Sequence, residues 1–226
     1  MNVIIFDTET NGLIPRNTTY HNSNAFPYIL QLSYIVYNDK NNKITTIEDN
    51  VIKISKNVEI SQQITNINNI DKNICETKGI NIKDVLEKFI YNLSNSNVIV
   101  AHNYNFDKIM ILAELKRNNM LTSQIQQKLL QGYCTMENGT NLCKIPRGYH
   151  TYNNSSFKYP KLVELYNHLF IKNDKNPLFL DETKLHNSLC DVIVTSRCYF
   201  KMNYNIDIYE KSQDYKGLFD ELVYLC

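Results

Sequence analysis

Asp7 and Glu9 stand in the segment Phe6-Asp7-Thr8-Glu9-Thr10, which closes the apolar run Val3-Ile4-Ile5-Phe6. That run reads as a buried strand. Side chains two apart on a strand share a face, separated by a rise of about 6.6 Å. Asp7 and Glu9 therefore point one way, Phe6 and Thr8 the other. Adjacent carboxylates repel, and burying them unpaired is costly, so the pair reads as a cation site; two solvated acids at a strand end is the alternative. A further acid, Asp107, closes Ala101-His102-Asn103-Tyr104-Asn105-Phe106-Asp107. This segment follows the strand-like run Val98-Ile99-Val100 and opens a helical pattern in Phe106, Ile109, Met110 and Ala113. Asn103 or Asn105 is the expected N-cap, and Asp107 is either a ligand or an acid favoured by the helix N-terminus. His102 reads as a hydrogen-bonding partner at the strand end.

His186-Asn187-Ser188-Leu189-Cys190-Asp191 leads into another helix, whose apolar face carries Leu189, Val192 and Ile193. Five positions within one helix place His186 and Asp191 about 140° apart, too far to converge. The expected geometry puts His186 on the entering loop, Asn187 or Ser188 at the cap and Asp191 on the second turn. A loop histidine and a helical acid can then serve one centre.

The three segments in this order resemble the DEDDh branch of the DEDD 3'→5' exonucleases, the family of the proofreading subunit of bacterial replicative DNA polymerase. Phe6-Asp7-Thr8-Glu9-Thr10-Asn11-Gly12-Leu13 matches its first motif, with Asn11 where the family usually has Thr or Ser. Tyr133-Cys134-Thr135-Met136 and Pro160-Lys161-Leu162-Val163-Glu164-Leu165-Tyr166 resemble the strand and helix that join its later motifs. The resemblance runs from Asn2 to about Phe200; it leaves out Arg16 to Asn24 and the tail after Met202. It implies a ribonuclease-H-like fold and a two-metal phosphodiester hydrolase that releases nucleoside 5'-monophosphates from 3' ends. It also implies Asp7, Glu9, Asp107 and Asp191 as metal ligands. Asp7 bridges two ions, Glu9 and Asp191 serve the ion beside the attacking water, Asp107 acts through water, and His186 is the general base. An ordinary imidazole, titrating near pH 6.5, suits that task. Oxygen ligands favour Mg²⁺ or Mn²⁺ over zinc. Thr10, Gly12, Leu13, Asn103 and Phe106 are the expected contacts to the terminal nucleotide, with Gly12 allowing close backbone approach and Leu13 wedging against the base.

The net charge is +1, and no C-x-x-C pair or zinc-ligand spacing occurs among the six cysteines. This excludes a global positive field for gripping long duplexes. It leaves an enzyme that holds the last few nucleotides of a strand, with targeting supplied by a polymerase or replication partner. The substrate expected is a DNA 3' end, single-stranded or frayed, in proofreading or repair. RNA 3'-end trimming and a catalytically inactive nucleic-acid-binding relative are the competing readings. Reduced core cysteines and a first strand beginning at Asn2 point to an intracellular protein without a signal peptide. No apolar run approaches the roughly 20 residues of a membrane span. Abundant Lys, Asn, Ile and Tyr fit an AT-rich genome such as that of a large DNA virus.

The elements that must position these residues form one domain over 1–226, with a core of about 2–202 and a helical tail at 203–226. Strands are expected at 2–7, Ile29–Tyr37 and Ile44–Ile54, joined as an antiparallel meander. Later strands at Val98–Ala101 and Tyr133–Met136 alternate with helices and so pair in parallel. The result is a mixed five-stranded α/β sheet flanked by helices. Helices are expected at Ser61–Asn66, from Ile82 with Asn81 as cap, at Gln124–Leu130, from Pro160 to Phe170, at 188–202 and at Gly217–Leu225. Residues 11–28 and 137–159 read as functional loops. The second interleaves Lys144, Arg147, His150 and Lys158 with Tyr149, Tyr152, Phe157 and Tyr159, a composition that can pair phosphates and stack bases. A solvated loop packing its rings on the core is the other reading.

Overall fold

The computed structural model describes residues 1–147, 157–172 and 177–224. β1 (Asn2–Thr10), β2 (Ile29–Asn38) and β3 (Lys43–Val51) form the expected antiparallel meander. β4 (Val98–Ala101) and β5 (Tyr133–Cys134) add in parallel on the other side, giving the order β3-β2-β1-β4-β5. β1 is thus the central strand. Its alternation feeds two cores. Val3 and Ile5 pack with Ile35, Tyr37 and Val192 on one face; Ile4 and Phe6 pack with Tyr34, Phe89 and Ile111 on the other. A strand covered on both faces has to be continuously apolar, which explains the unbroken run at 3–6. β1 extends to Thr10, beyond the expected end at residue 7, because its pairing with β2 continues past the acids to Thr10 opposite Ile29.

The longer connections and the segment after β5 carry the helices. After β3 come α1 (Gln62–Asn68), α2 (Lys72–Thr77) and α3 (Ile82–Ser94). The expected Asn81 cap is present, its Oδ1 accepting from the Lys83 N–H at 2.9 Å. α4 (Tyr104–Arg117) and α5 (Ser123–Leu129) follow β4. α6 (Thr135–Cys143) follows β5 directly. α7 (Leu162–Tyr166) passes into a π-helical turn at Asn167–Ile171. α8 (Ser188–Tyr204), α9 (Ile208–Lys211) and α10 (Gln213–Leu222) complete the fold.

Several expected boundaries change. The fifth strand stops after two residues because Cys134 turns into the cap of α6, accepting from the Glu137 N–H at 3.5 Å. Residues 137–143 are therefore helix and not the start of a loop. Asn138, Gly139 and Asn141 are poor helix formers, which hid the element; packing rescues it, with Gly139 pressed so closely on Leu165 that a Cβ would sit 2.8 Å from its Cδ1. α2 and the 3-10 helix at Tyr20–Ala25 were likewise not expected. α10 starts four residues before Gly217 because Ser212 caps it; Leu225 lies outside the described residues.

α8 crosses the face of the sheet that carries Asp7 and Glu9. Its middle is anchored by Arg197, which donates to Asp207 at 2.9 and 2.6 Å and to the Tyr166 hydroxyl at 2.5 Å, with its guanidinium over the Phe170 ring. Its near end is anchored at the site. No described helix is long and apolar enough to cross a membrane.

Candidate active site

The C-terminal half of β1 holds Asp7 and Glu9 on the α8 face and Thr8 on the α4 face. The start of α8 is pinned beneath the two acids. Asn187 Oδ1 accepts from the N–H groups of Leu189 and Cys190 at 3.2 and 3.3 Å. The Ser188 hydroxyl donates to the Asp7 carbonyl at 2.7 Å. The Ser188 N–H donates to Gln31 Oε1 at 3.2 Å, while Gln31 and Ser33 both donate to Asp49 at 2.7 and 2.6 Å. Asp191 consequently falls in the first turn of α8, one turn earlier than expected. From the opposite face, the buried Asp107 in the first turn of α4 reaches the same strand. Its Oδ1 accepts from the Thr8 N–H at 3.1 Å and from the Thr8 hydroxyl at 2.7 Å.

His186 is exposed, immediately before the cap, with a left-handed backbone at φ 65°. That conformation is uncommon outside glycine, although His, Asn and Asp adopt it more readily than most residues. It brings one imidazole nitrogen, a Glu9 oxygen and an Asp191 oxygen within 4.8 Å of one another. The loop placement and the Asn187 cap agree with the sequence reading. Asn103 stands at the N-cap of α4, but its side chain makes no capping bond.

The electrostatics are those of crowded acids. Burial pushes the Asp7 carboxyl up to about 7, against the Ser188 and Thr8 hydrogen bonds that favour its charge. Burial, then the charges of Asp7, Asp191 and Asp107, push Glu9 up to about 9, with only the Asn68 amide pulling the other way. Asp107 and Asp191 are both raised well above the carboxylate range by burial and by Asp7. Asp191 Oδ1 is buried with no hydrogen-bond partner among the described residues. Hard oxygen donors, one orphaned, gathered where each raises the others' proton affinity, fit a divalent cation, whose charge reverses that trend.

A cavity of about 390 Å³ opens at this cluster. One side is formed by Asp7, Asp191, His186 and Leu185, the other by His102, Asn103, Met136, Tyr159 and Lys161. His102 holds that second side together. Its Nε2 donates to the Pro160 carbonyl at 3.2 Å and its Nδ1 lies 3.0 Å from the Thr135 hydroxyl, tying β4 to the starts of α6 and α7. Burial lowers it to about 4, so the ring is neutral and structural.

Of the expected substrate contacts, Asn103 lines the cavity. Thr10 directs its hydroxyl to the Gly12 carbonyl at 2.7 Å and so shapes the turn after β1. Gly12 has no positive φ, and a Cβ there would meet only Pro27 at 3.6 Å, so neither conformation nor packing demands glycine. Leu13 is 84 % exposed, free to meet a partner. Phe106 is half-buried and packs against the α4 core. Lys144 caps α6 with φ 50° and Arg147 Nε donates to the Phe157 carbonyl at 2.9 Å; neither lines the cavity. Lys158 is paired with Glu164 at 2.6 Å and does not line the cavity. Tyr149, His150 and Tyr152 lie outside the described residues.

The sequence reading missed Thr8, Gln31, Ser33, Asp49, Asn68 and Ser188, all of which support the acids. A signal existed for two of them: Gln31 and Ser33 are the polar interruptions of an otherwise apolar β2. Asn11, the departure from the family motif, is also employed. Its Oδ1 accepts from the Tyr28 N–H at 2.6 Å and its Nδ2 donates to the Glu59 carbonyl at 2.9 Å, closing the loop after β1.

A ribonuclease-H-like sheet with acids gathered from β1, α4 and α8 defines a class, that of the exonuclease-type nucleases. The chain belongs to the exonuclease family, whose RNase_T model matches residues 4–199. Among solved structures, the nuclease domain of 3'hExo, a DEDDh family member bound to rAMP, superposes with a TM-score of 0.59 at 13 % identity, covering 92 % of this chain and 94 % of that one. E. coli Exonuclease I in complex with a dT13 oligonucleotide gives 0.61 at 16 % identity, covering 97 % of this chain and 43 % of the larger enzyme. These likenesses concern the fold. No curated protein sequence matches the chain.

Proposed function

We propose that this protein is a divalent-metal-dependent 3'→5' exonuclease that removes nucleoside 5'-monophosphates from DNA 3' ends, single-stranded or frayed, in proofreading or repair. The observation that carries the reading is the convergence of Glu9, His186 and Asp191 donor atoms within 4.8 Å beside Asp7, with Asp107 locked to the same strand by Thr8. Asp7, Glu9, Asp107 and Asp191 would hold Mg²⁺ or Mn²⁺. When bound, such ions activate a water nucleophile and stabilise the leaving 3'-oxygen. The chain's own groups do the rest. His186, exposed at the cavity mouth, accepts the proton of the attacking water. Thr8 keeps Asp107 ionisable and fixed, and Ser188 and Gln31 keep α8 in register with β1. Asn103 inside the cavity and the exposed Leu13 beyond it position the terminal nucleotide. A polymerase partner supplies targeting.

RNA 3'-end trimming is the second reading, favoured by one likeness: a structure described as 3'-end specific recognition of histone mRNA stem-loop by 3'-exonuclease, with a TM-score of 0.55 at 13 % identity. The test is digestion of matched DNA and RNA oligomers, 5'-labelled, with free or blocked 3' ends, in Mg²⁺, in Mn²⁺ and in chelator. Stepwise shortening of the free DNA end that stops in chelator is expected. Equal cleavage of blocked ends, or full activity in chelator, would sink the proposal, and faster turnover of RNA would favour the second reading.

A further inference from the structure

The acidic side of the cavity provides for the phosphate; the opposite side carries an aromatic ring that no contact described above uses. Tyr159 lines the cavity and is 53 % exposed. Its two neighbours are fixed. The Lys158 N–H donates to the Ile145 carbonyl at 2.9 Å and its ammonium pairs with Glu164, while the Pro160 carbonyl accepts from His102 and Pro160 itself is buried. An exposed ring is thus presented by pinned backbone on both sides. Cavities of a few hundred Å³ accept groups of nucleotide size, and a flat π face accepts any base without reading its edge.

Resting on the exonuclease reading, we infer that Tyr159 is the stacking platform for the base of one of the two nucleotides flanking the cleaved bond, and that it contributes affinity without sequence preference. Among the described residues of the cation- and ring-rich segment at 137–159, Tyr159 is the one that lines the cavity. Lys158 pairs with Glu164, Arg147 is held by a carbonyl, and neither these nor Phe157 and Lys144 line the cavity. Tyr159 touches no reacting atom in this role; it holds the strand while the acids and His186 act on the phosphate.

The test compares wild type, Tyr159→Phe and Tyr159→Ala on single-stranded oligonucleotides that are intact or abasic at each of the two flanking positions. Tyr159→Phe should behave as wild type. Tyr159→Ala should raise KM on intact strands about 5- to 150-fold, the range of one lost base stack, with little change in kcat. On at least one abasic substrate that penalty should vanish, because there is no base left to stack. A Tyr159→Ala variant equal to wild type on intact strands, or one equally impaired on all abasic strands, overturns the inference. Fluorescence anisotropy of the same oligonucleotides scores the stack independently of hydrolysis. A wild type that binds but does not cut would therefore refute the exonuclease reading and still decide the role of Tyr159.

Discussion

Asp107 is buried and Glu9 only partly so; their surroundings differ, and so should their variants. Glu9 is pushed to about 9 by burial and three neighbouring acids. Replacing it by glutamine keeps its shape and removes the repulsion. Glu9→Gln and Asp191→Asn should nearly abolish hydrolysis while leaving the metal-free melting temperature unchanged or higher. Asp107→Ala should also abolish it but lower the melting temperature, since it strands the Thr8 N–H and hydroxyl, which Asp107 satisfies in a buried setting. Such stranded groups cost about 1–3 kcal/mol. Calorimetry beside turnover checks both, and wild-type turnover in any of them removes that residue from the site. His186 allows a different test. His186→Asn tolerates the left-handed backbone and removes the imidazole, so kcat should fall roughly 10²–10⁴-fold with oligonucleotide affinity kept. Weaker oligonucleotide binding with kcat kept would make His186 a substrate-positioning residue.

The start of α8 carries Asp191 in its first turn and His186 just ahead of the cap, so its stability and the activity are coupled. Asn187→Ala should cost about 1 kcal/mol, roughly 2–4 °C in melting temperature for a chain of this size, and lower turnover as well. Ser212→Ala removes an equivalent cap from α10, which supplies no residue to the cavity, and should cost similar stability with turnover intact. Equal turnover in the two variants would show that the cap does not position the site. The elements themselves were unequally legible. α3 declared its cap, Asn81, and its apolar face, and β1 and β4 declared themselves as unbroken apolar runs. α6 did not, because Asn138, Gly139 and Asn141 oppose helix locally and only packing on α7 forms it. Within the site, Asp7, Glu9, Asp107, His186 and Asp191 were visible as motifs. Asp49 and Asn68 were not, because their roles depend on which strands and helices become neighbours.

For the whole molecule, the raised acids set a pH dependence with a definite sign. Asp7 and Glu9 titrate near 7 and 9 in the fold, against about 4 when unfolded. Below about pH 4 both states are protonated and these groups contribute nothing. Between about pH 4 and 9 the unfolded chain ionises first, so stability in chelator should fall as pH rises. Mg²⁺ or Mn²⁺ should offset that loss, and Glu9→Gln should flatten the slope. Melting curves across pH with and without the ions check this; identical slopes for wild type and Glu9→Gln in chelator would count against it. One contact at the site also bears on when the enzyme comes into being. The Ser188 hydroxyl reaches the Asp7 carbonyl across 181 residues of sequence. Contacts so distant form only after the chain between them is available. A ribosome-bound chain therefore carries Asp7 and Glu9 before the segment with His186 and Asp191 has been made. Under the exonuclease reading, a chain that stops short of α8 should therefore be inactive, whatever the state of its first strand.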